Sequence, residues 1–250
     1  MSASLKLVCL NIEKDKHLRL IEPFLRAQMP DIFCVQELYE SSIPVIRSAL
    51  AGASCFFTPM TRRGRETPPQ VQGIGVFSRL PISTKQALYY KGPADHLPES
   101  DQADSSTYNN DNRMIAWCDV EKEGTIFKIC TTHFTWSEHG EATDKQLHDM
   151  RELLKVLSSL DEFVLCGDFN VPRGGELFGM LAERYTDNVP LHYETSLDLE
   201  LHRAAKLRRH EIAIKMIDGI FSTPAYTVSD VEMISGVSDH KALVATISHA

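Results

Sequence analysis

The apolar run Phe163-Val164-Leu165-Cys166 stops abruptly at Gly167-Asp168-Phe169-Asn170-Val171-Pro172, and this stretch constrains the fold more than any other in the chain. Four consecutive apolar side chains read as a short strand buried on both faces. Pro172 cannot donate to a ladder, so the strand ends before it. An extended backbone then sets Asp168 and Asn170 on one face at the strand's end, about 6 to 7 Å apart, with Gly167 leaving room beside them. A carboxylate and an amide so placed can meet one ligand together, although Asp and Asn also form ordinary turns after strands.

The same pattern recurs along the chain. Residues 5–12 and 31–37 read as strands around a helix at 16–29, where Leu18, Ile21, Leu25 and Met29 fall at helical spacing. Asn11 and Glu37 terminate those strands and share an edge if the two are parallel neighbours. Residues 113–120 and 125–134 alternate like a hairpin around Glu123-Gly124, and the second delivers His133 to its end. Asp218 sits in an apolar run, 212–222, read as a strand. An unpaired carboxylate is costly there, so Asp218 needs a partner. Asp239 and His240 precede a final strand at 242–247. Neighbouring strand residues face opposite ways, so these two can serve one site only from a loop, which Gly236 and Ser238 supply.

Helices are also predicted over 41–50, 141–159 and 175–184, and strands over 55–58, 72–79, 84–89 and 226–234. The turn Leu80-Pro81 joins 72–79 to 84–89. Strands linked sometimes by helices and sometimes by hairpins predict an α/β chain with helices packed outside a sheet sandwich, folded as one domain over 1–250. A hydrophobic content of 43% supports a sizeable core.

Lys plus Arg number 26 against 34 Asp plus Glu, a net charge of −8, so any polyanion must be met by a local patch. Two such patches are visible. Arg62, Arg63 and Arg65 lie in a Pro- and Gly-rich loop, 61–70, which reads as solvated surface able to grip phosphates. The run Lys206-Leu207-Arg208-Arg209-His210 reads as a solvated helix face. The long connection 91–112 is too acidic to clamp phosphate, and Trp136 is expected in the core. Six cysteines without a CxxC pair read as buried small hydrophobes and point to a reducing compartment. No signal peptide or membrane-spanning stretch is visible. The expectation is a cytoplasmic monomer.

Asn11, Glu37, His133, Asp168, Asn170, Asp218, Asp239 and His240 thus all fall at or near strand ends. Hard oxygen donors suit Mg²⁺ or Mn²⁺, and neither HxxxH nor CxxC argues for zinc. Mg²⁺ fills its remaining positions with water and phosphate oxygens, so the substrate should carry a phosphate.

With these residues in place the sequence resembles the endonuclease/exonuclease/phosphatase superfamily. The matching segments are Leu10-Asn11-Ile12, Val35-Gln36-Glu37, Gly73-Ile74-Gly75-Val76-Phe77-Ser78, Thr132-His133-Phe134, Gly167-Asp168-Phe169-Asn170, Ile217-Asp218-Gly219-Ile220-Phe221 and Ser238-Asp239-His240, in the family's order through nearly the whole chain. The resemblance implies a four-layered α/β sandwich, two mixed β-sheets packed face to face and flanked by helices, that hydrolyses a phosphoester with Mg²⁺ or Mn²⁺. It further implies Glu37 as principal metal ligand with Asn11 and Asp239 beside it, and Asp168 as the base that activates water. Asn170 and His133 would donate to phosphate oxygens, and Asp218 would pair with His240. Glu13 stands where many relatives have Asp. A phosphodiesterase or nuclease is the expected activity. A phosphatase, a phosphodiesterase of phospholipids or small molecules, and a non-catalytic binding member are the alternatives.

Overall fold

Side-chain alternation along the first strand, Ser4–Asn11 (β1), explains the layering of the molecule. In the computed structural model, which describes residues 3–101, 104–107 and 109–250, Leu5, Leu7 and Cys9 join a cluster drawn from both sheets. Val8 and Leu10 meet Ile21 and Leu25 of helix Leu18–Gln28 (α1) on the opposite face. A strand buried on both faces must be apolar throughout, and β1 nearly is.

The remaining elements follow in chain order: β2 Ile32–Tyr39, α2 Ile43–Ala49, β3 Ser54–Arg63, β4 Gln70–Ser78, β5 Ile82–Lys91, β6 Arg113–Lys122, β7 Thr125–His133, α3 Asp144–Leu157, β8 Val164–Asp168, α4 Glu176–Ala182, β9 Thr186–Asp187, α5 Ala205–Ile212, β10 Asp218–Ser222, β11 Tyr226–Ile234 and β12 Ala242–His249. They form two six-stranded sheets, in the orders β11-β12-β1-β2-β4-β3 and β5-β6-β7-β8-β10-β9. Each sheet has one parallel pair at its centre, β1–β2 and β7–β8, and antiparallel pairs elsewhere. Outside the first sheet, α1 and α2 cover Phe33, Val35 and Phe77. Outside the second, α3 and α4 place Met150, Leu153, Leu157, Leu177 and Leu181 over Ile115, Leu165 and Phe221. Four layers result, as the resemblance implied.

Five of the six thiols are buried, Cys55 is half-buried, and all six are free. Between the sheets Gln36 donates through Nε2 to Thr131 Oγ1 across 2.8 Å, a buried polar tie between two otherwise apolar faces. No helix among the described residues is long and apolar enough to cross a membrane.

Several element boundaries differ from those expected. Helix α3 starts at Asp144 because Thr143 caps it, its hydroxyl accepting from the Gln146 amide at 3.2 Å. Strand β3 is not a short piece but runs on to Arg63, and so absorbs the start of the supposed basic loop. The strands on either side of Leu80-Pro81 belong to different sheets, so that turn carries the chain from one layer to the other. The strand expected over 212–222 begins only at Asp218. Ile212 closes α5 and packs on Leu197 and Ala205, while Ile214 is exposed, so the alternation of Ile212, Ile214 and Met216 was not that of a strand.

Gly167 lies opposite Thr132 in the β7–β8 pair. A Cβ there would lie 2.1 Å from the carbonyl oxygen of Thr132, a contact that only backbone movement relieves. Gly167→Ala is expected to cost about 1–3 kcal/mol, a fall in Tm of about 2–12 °C for a chain of this size. Thermal unfolding monitored by circular dichroism measures it.

Candidate active site

The two parallel pairs bring four strand ends to one edge of the sandwich. In β1–β2, Asn11 lies opposite Gln36. The register against β4 shifts between Val35 and Leu38, and within this bulge Glu37 takes φ 56°. A bulge re-aims the side chains it contains, and a left-handed Glu costs roughly 1–2 kcal/mol. Backbone strain of this kind concentrates at functional sites. In the other sheet His133, Asp168 and Asp218 stand in one row across β7, β8 and β10, each directly opposite the next. Asn170 follows at φ 53°, a conformation Asn tolerates, with its backbone N–H donating to Asp168 Oδ1 at 2.9 Å. Its Nδ2 donates to the Phe134 carbonyl at 3.0 Å.

A segment that sequence reasoning left unassigned closes the row. Residues 195–198 lie beside the loop that carries Asp239 and His240. The Asp198 amide donates to the Asp239 carbonyl (2.8 Å), and the Lys241 amide donates to the Ser196 carbonyl (2.7 Å). The Ser196 hydroxyl accepts from the Asp218 amide at 3.0 Å, while Asp198 Oδ2 accepts from the Gly236 amide at 2.7 Å. This lacing sets His240 against Asp218: Nδ1 lies 2.8 Å from Asp218 Oδ2, the partner that carboxylate required.

Asp168 is the point of convergence. Asn11 Nδ2 donates to its Oδ2 at 3.0 Å, His133 Nε2 lies 3.5 Å from the same oxygen, and His240 Nε2 lies 3.8 Å away. Asn11 Nδ2 also reaches Glu37 Oε1 at 3.5 Å. All eight residues singled out from sequence are therefore at one edge, and seven of them are buried, Glu37 being half-buried. Glu13 is there too, its carboxylate held by His17 Nε2 (3.0 Å) and by Lys16.

Burial, and then the facing Asp218, push the Asp168 carboxyl up to about 7. Burial also lifts Asp239 to about 7, with Glu13 and Glu37 adding repulsion. For His240, burial alone would favour the neutral ring, but Asp218, Asp168 and Asp239 together hold it well above 6.5. His133 goes the other way, kept well below 6.5 by burial and by the nearby Arg113 and His240 charges. One imidazole is cationic and the other neutral near neutral pH.

Glu13, Glu37, His133, Asp168, Asn170, Asp239 and His240 line a cleft of about 260 Å³ whose walls also hold groups that were expected elsewhere. Arg63, expected on a solvated loop, is buried. Its Nε donates to Gln72 at 2.6 Å and its Nη2 lies 3.5 Å from Asp111, which is also 3.6 Å from Arg113. Arg113 in turn donates to the His133 carbonyl at 3.0 Å. Trp136, expected in the core, is 41% exposed and faces the cleft. Arg203, Arg208 and Lys215 line the cleft as well. Isolated arginines carry no periodic signal, and only the pairing of Pro98, Ser100 and Asn112 with β3 shows which of them is buried.

A two-sheet α/β sandwich with carboxylates, amides and imidazoles gathered at one edge is the architecture of a class of phosphoester hydrolases. The model of the Endonuclease/Exonuclease/phosphatase family matches residues 9–240, and the chain belongs to that family. Solved structures agree in fold. An endonuclease/exonuclease/phosphatase from Bacteroides vulgatus superposes with a TM-score of 0.73 at 15% identity, covering 99% of this chain and 100% of the other. The human Nocturnin catalytic domain with bound sulfate anion gives 0.69 at 16% identity, covering 100% and 97%. A mannosyl-6-phosphatase from Bacteroides thetaiotaomicron gives 0.65 at 14% identity, covering 98% and 99%. No curated protein matches the sequence significantly.

Proposed function

We propose that the protein is a divalent-metal-dependent phosphodiesterase in which water activated by Asp168 attacks phosphorus in line. The observation that supports this above the rest is the convergence of Asn11, His133 and His240 on one Asp168 carboxylate whose pKa stands near 7, where a general base works best. Asp168 takes the proton from water. Neutral His133 and the Asn170 amide donate to phosphoryl oxygens, and cationic His240, oriented by Asp218, gathers the charge that develops there. Arg63 and Arg113 add positive potential at the wall. No covalent intermediate is needed.

The oxygen donors of Glu37, Asn11 and Asp239 suit Mg²⁺ or Mn²⁺. Burial lifts Asp239 to about 7, and Glu13 and Glu37 add a repulsion that a bound cation would relieve. When bound, the ion supplies charge stabilisation at a phosphoryl oxygen. A nucleic-acid backbone and a lipid headgroup both present a diester to such a site.

The test is a panel of single-stranded, duplex and abasic DNA, RNA, sphingomyelin, inositol phosphates and a chromogenic diester, with Mg²⁺, Mn²⁺ or EDTA. Turnover is expected with either metal and not with EDTA. Asn170→Ala is expected to lower kcat by on the order of 10²- to 10³-fold, the usual loss for one such donor. Equal rates with metal and with EDTA, or an unchanged Asn170→Ala enzyme, would overturn the reading.

A further inference from the structure

The connection between β9 and β10 carries a feature that hydrolysis does not use. Helix α5 is held to the body at its ends by Ala205 and Ile212, which pack on Leu197, while residues 206–211 are all exposed. Arg208 leaves helical geometry at φ −132°, so the segment forms a protruding knuckle rather than a smooth helix. Leu207 near its middle is 91% exposed, the highest of any large apolar side chain among the described residues, and Leu191 (83%) and Ile214 (69%) follow. All three belong to this one connection. Single exposed leucines are common, but these accompany Arg203, Lys206, Arg208, Arg209 and Lys215 against only Glu211 between 203 and 215, in a chain of net charge −8. Arg203, Arg208 and Lys215 also line the cleft, so the knuckle stands beside its mouth.

We propose that this knuckle seats the protein on an anionic phospholipid bilayer, with Leu207 and Ile214 entering the headgroup boundary and the flanking cations meeting lipid phosphates. Interfacial segments combine these two features, apolar side chains buried about 5–10 Å deep and a basic surround. A polynucleotide would engage the cations and leave Leu207 in water. A bilayer satisfies both, because its hydrocarbon lies directly beneath its negative charge. Docking would present the cleft to phosphoesters in the membrane surface, but the seating itself requires no hydrolysis and is measured without it.

The protein, in EDTA so that turnover does not intervene, is mixed with phosphatidylcholine vesicles or with vesicles containing about 30% phosphatidylserine, and binding is read by flotation. Wild type is expected to bind only the serine-containing vesicles, less tightly as salt rises. Lys206→Gln with Arg209→Gln should weaken binding about fivefold per charge, and Leu207→Ser with Ile214→Ser about tenfold or more. All these positions are exposed, so Tm should stay at the wild-type value, and a DNA oligonucleotide and sedimentation velocity serve as controls. Vesicle binding that ignores the Leu207→Ser, Ile214→Ser change would overturn the proposal. So would wild type that binds DNA but not vesicles, wild type that binds neither, or a dimer that this double change disrupts. Phosphodiester turnover without vesicle binding would sink the docking proposal alone, whereas vesicle binding without turnover would leave it standing and sink the catalytic one.

Discussion

Asp168→Asn is expected to turn over a phosphodiester at least about 10³-fold more slowly than wild type, because the water loses its base while the surrounding donors stay in place. The same variant is expected to be the more stable protein above neutral pH in metal-free buffer. The Asp168 carboxyl stands at about 7 against an ordinary 3.8, so the native state holds that proton more tightly than the unfolded chain does. Stability therefore falls as pH rises between about 4 and 7, and above 7 the native state carries the whole penalty of a buried carboxylate facing Asp218. Asparagine removes the penalty. The Tm difference between variant and wild type should be near zero at pH 4, open between 4 and 7, and level off above 7 at several degrees. A thermal unfolding series in EDTA reads it. An active Asp168→Asn enzyme, or a Tm gap independent of pH, would contradict the assignment. Activity and stability moving in opposite directions is the signature of a group kept for chemistry rather than for the fold.

His240→Ala is expected to lose in both respects. Asp218 is 3% exposed, and among the described residues the imidazole, at 2.8 Å, is the only side-chain hydrogen-bond partner of its carboxylate. Removing the ring strands a buried carboxylate beside Asp168, at a cost of about 3–5 kcal/mol, or a Tm lower by about 6–20 °C. The pair's contribution has the same pH sense as that of Asp168, both groups holding their protons more tightly in the native state, but it falls away at a higher pH. His240 is held above its ordinary 6.5, so the stabilisation is complete below that value and is lost as pH rises through the raised one. Turnover should fall on the order of 10²- to 10³-fold, and Asp218→Asn should show most of that loss because the ring is then neither oriented nor charged. The double variant His240→Gln, Asp218→Asn leaves no stranded charge. It should regain most of the Tm and none of the activity, a non-additivity that a double-mutant cycle measures. Additive losses in both readouts would mean that the two residues act independently.

The sequence revealed the residues that combine an expensive chemical type with a strand terminus. Asp218 in an apolar run, Asp168 before Asn170 and Pro172, and Asn11 one helix away from Glu37 each violate the local pattern that burial favours, and such violations mark function. The mix of helical and hairpin connections pointed to helices outside a sheet sandwich, whereas the four layers came from the family resemblance, and the parallel pairing of β1 with β2 was a condition that only the register satisfied. Residues whose significance depends on a contact were not legible. Arg63 and Arg65 are two apart in one stretch, yet Arg63 is buried against Gln72 and Asp111 while Arg65 is exposed, and only the packing of Pro98, Ser100, Asp111 and Asn112 on β3 decides between them. The lacing of residues 195–198 to Asp218 and Asp239 has a backbone group as at least one partner in each bond, and every residue possesses those, so no pairing of side chains announces it. The apolar alternation at 212–216 misled because a helix end and a strand start can each be entered by the same letters.

The second sheet is built from one uninterrupted run of chain, β5 to β10, lodged between the strands of the first. During vectorial synthesis that run, with Asp168 and Asp218 already in it, can gather before β12 leaves the ribosome. The imidazole arrives last, with Asp239, in the loop leading into a strand that must thread between β11 and β1. A nascent chain thus lacks His240 and Asp239 until β1 to β11 are out, and closure of the first sheet by β12 coincides with assembly of the proposed site.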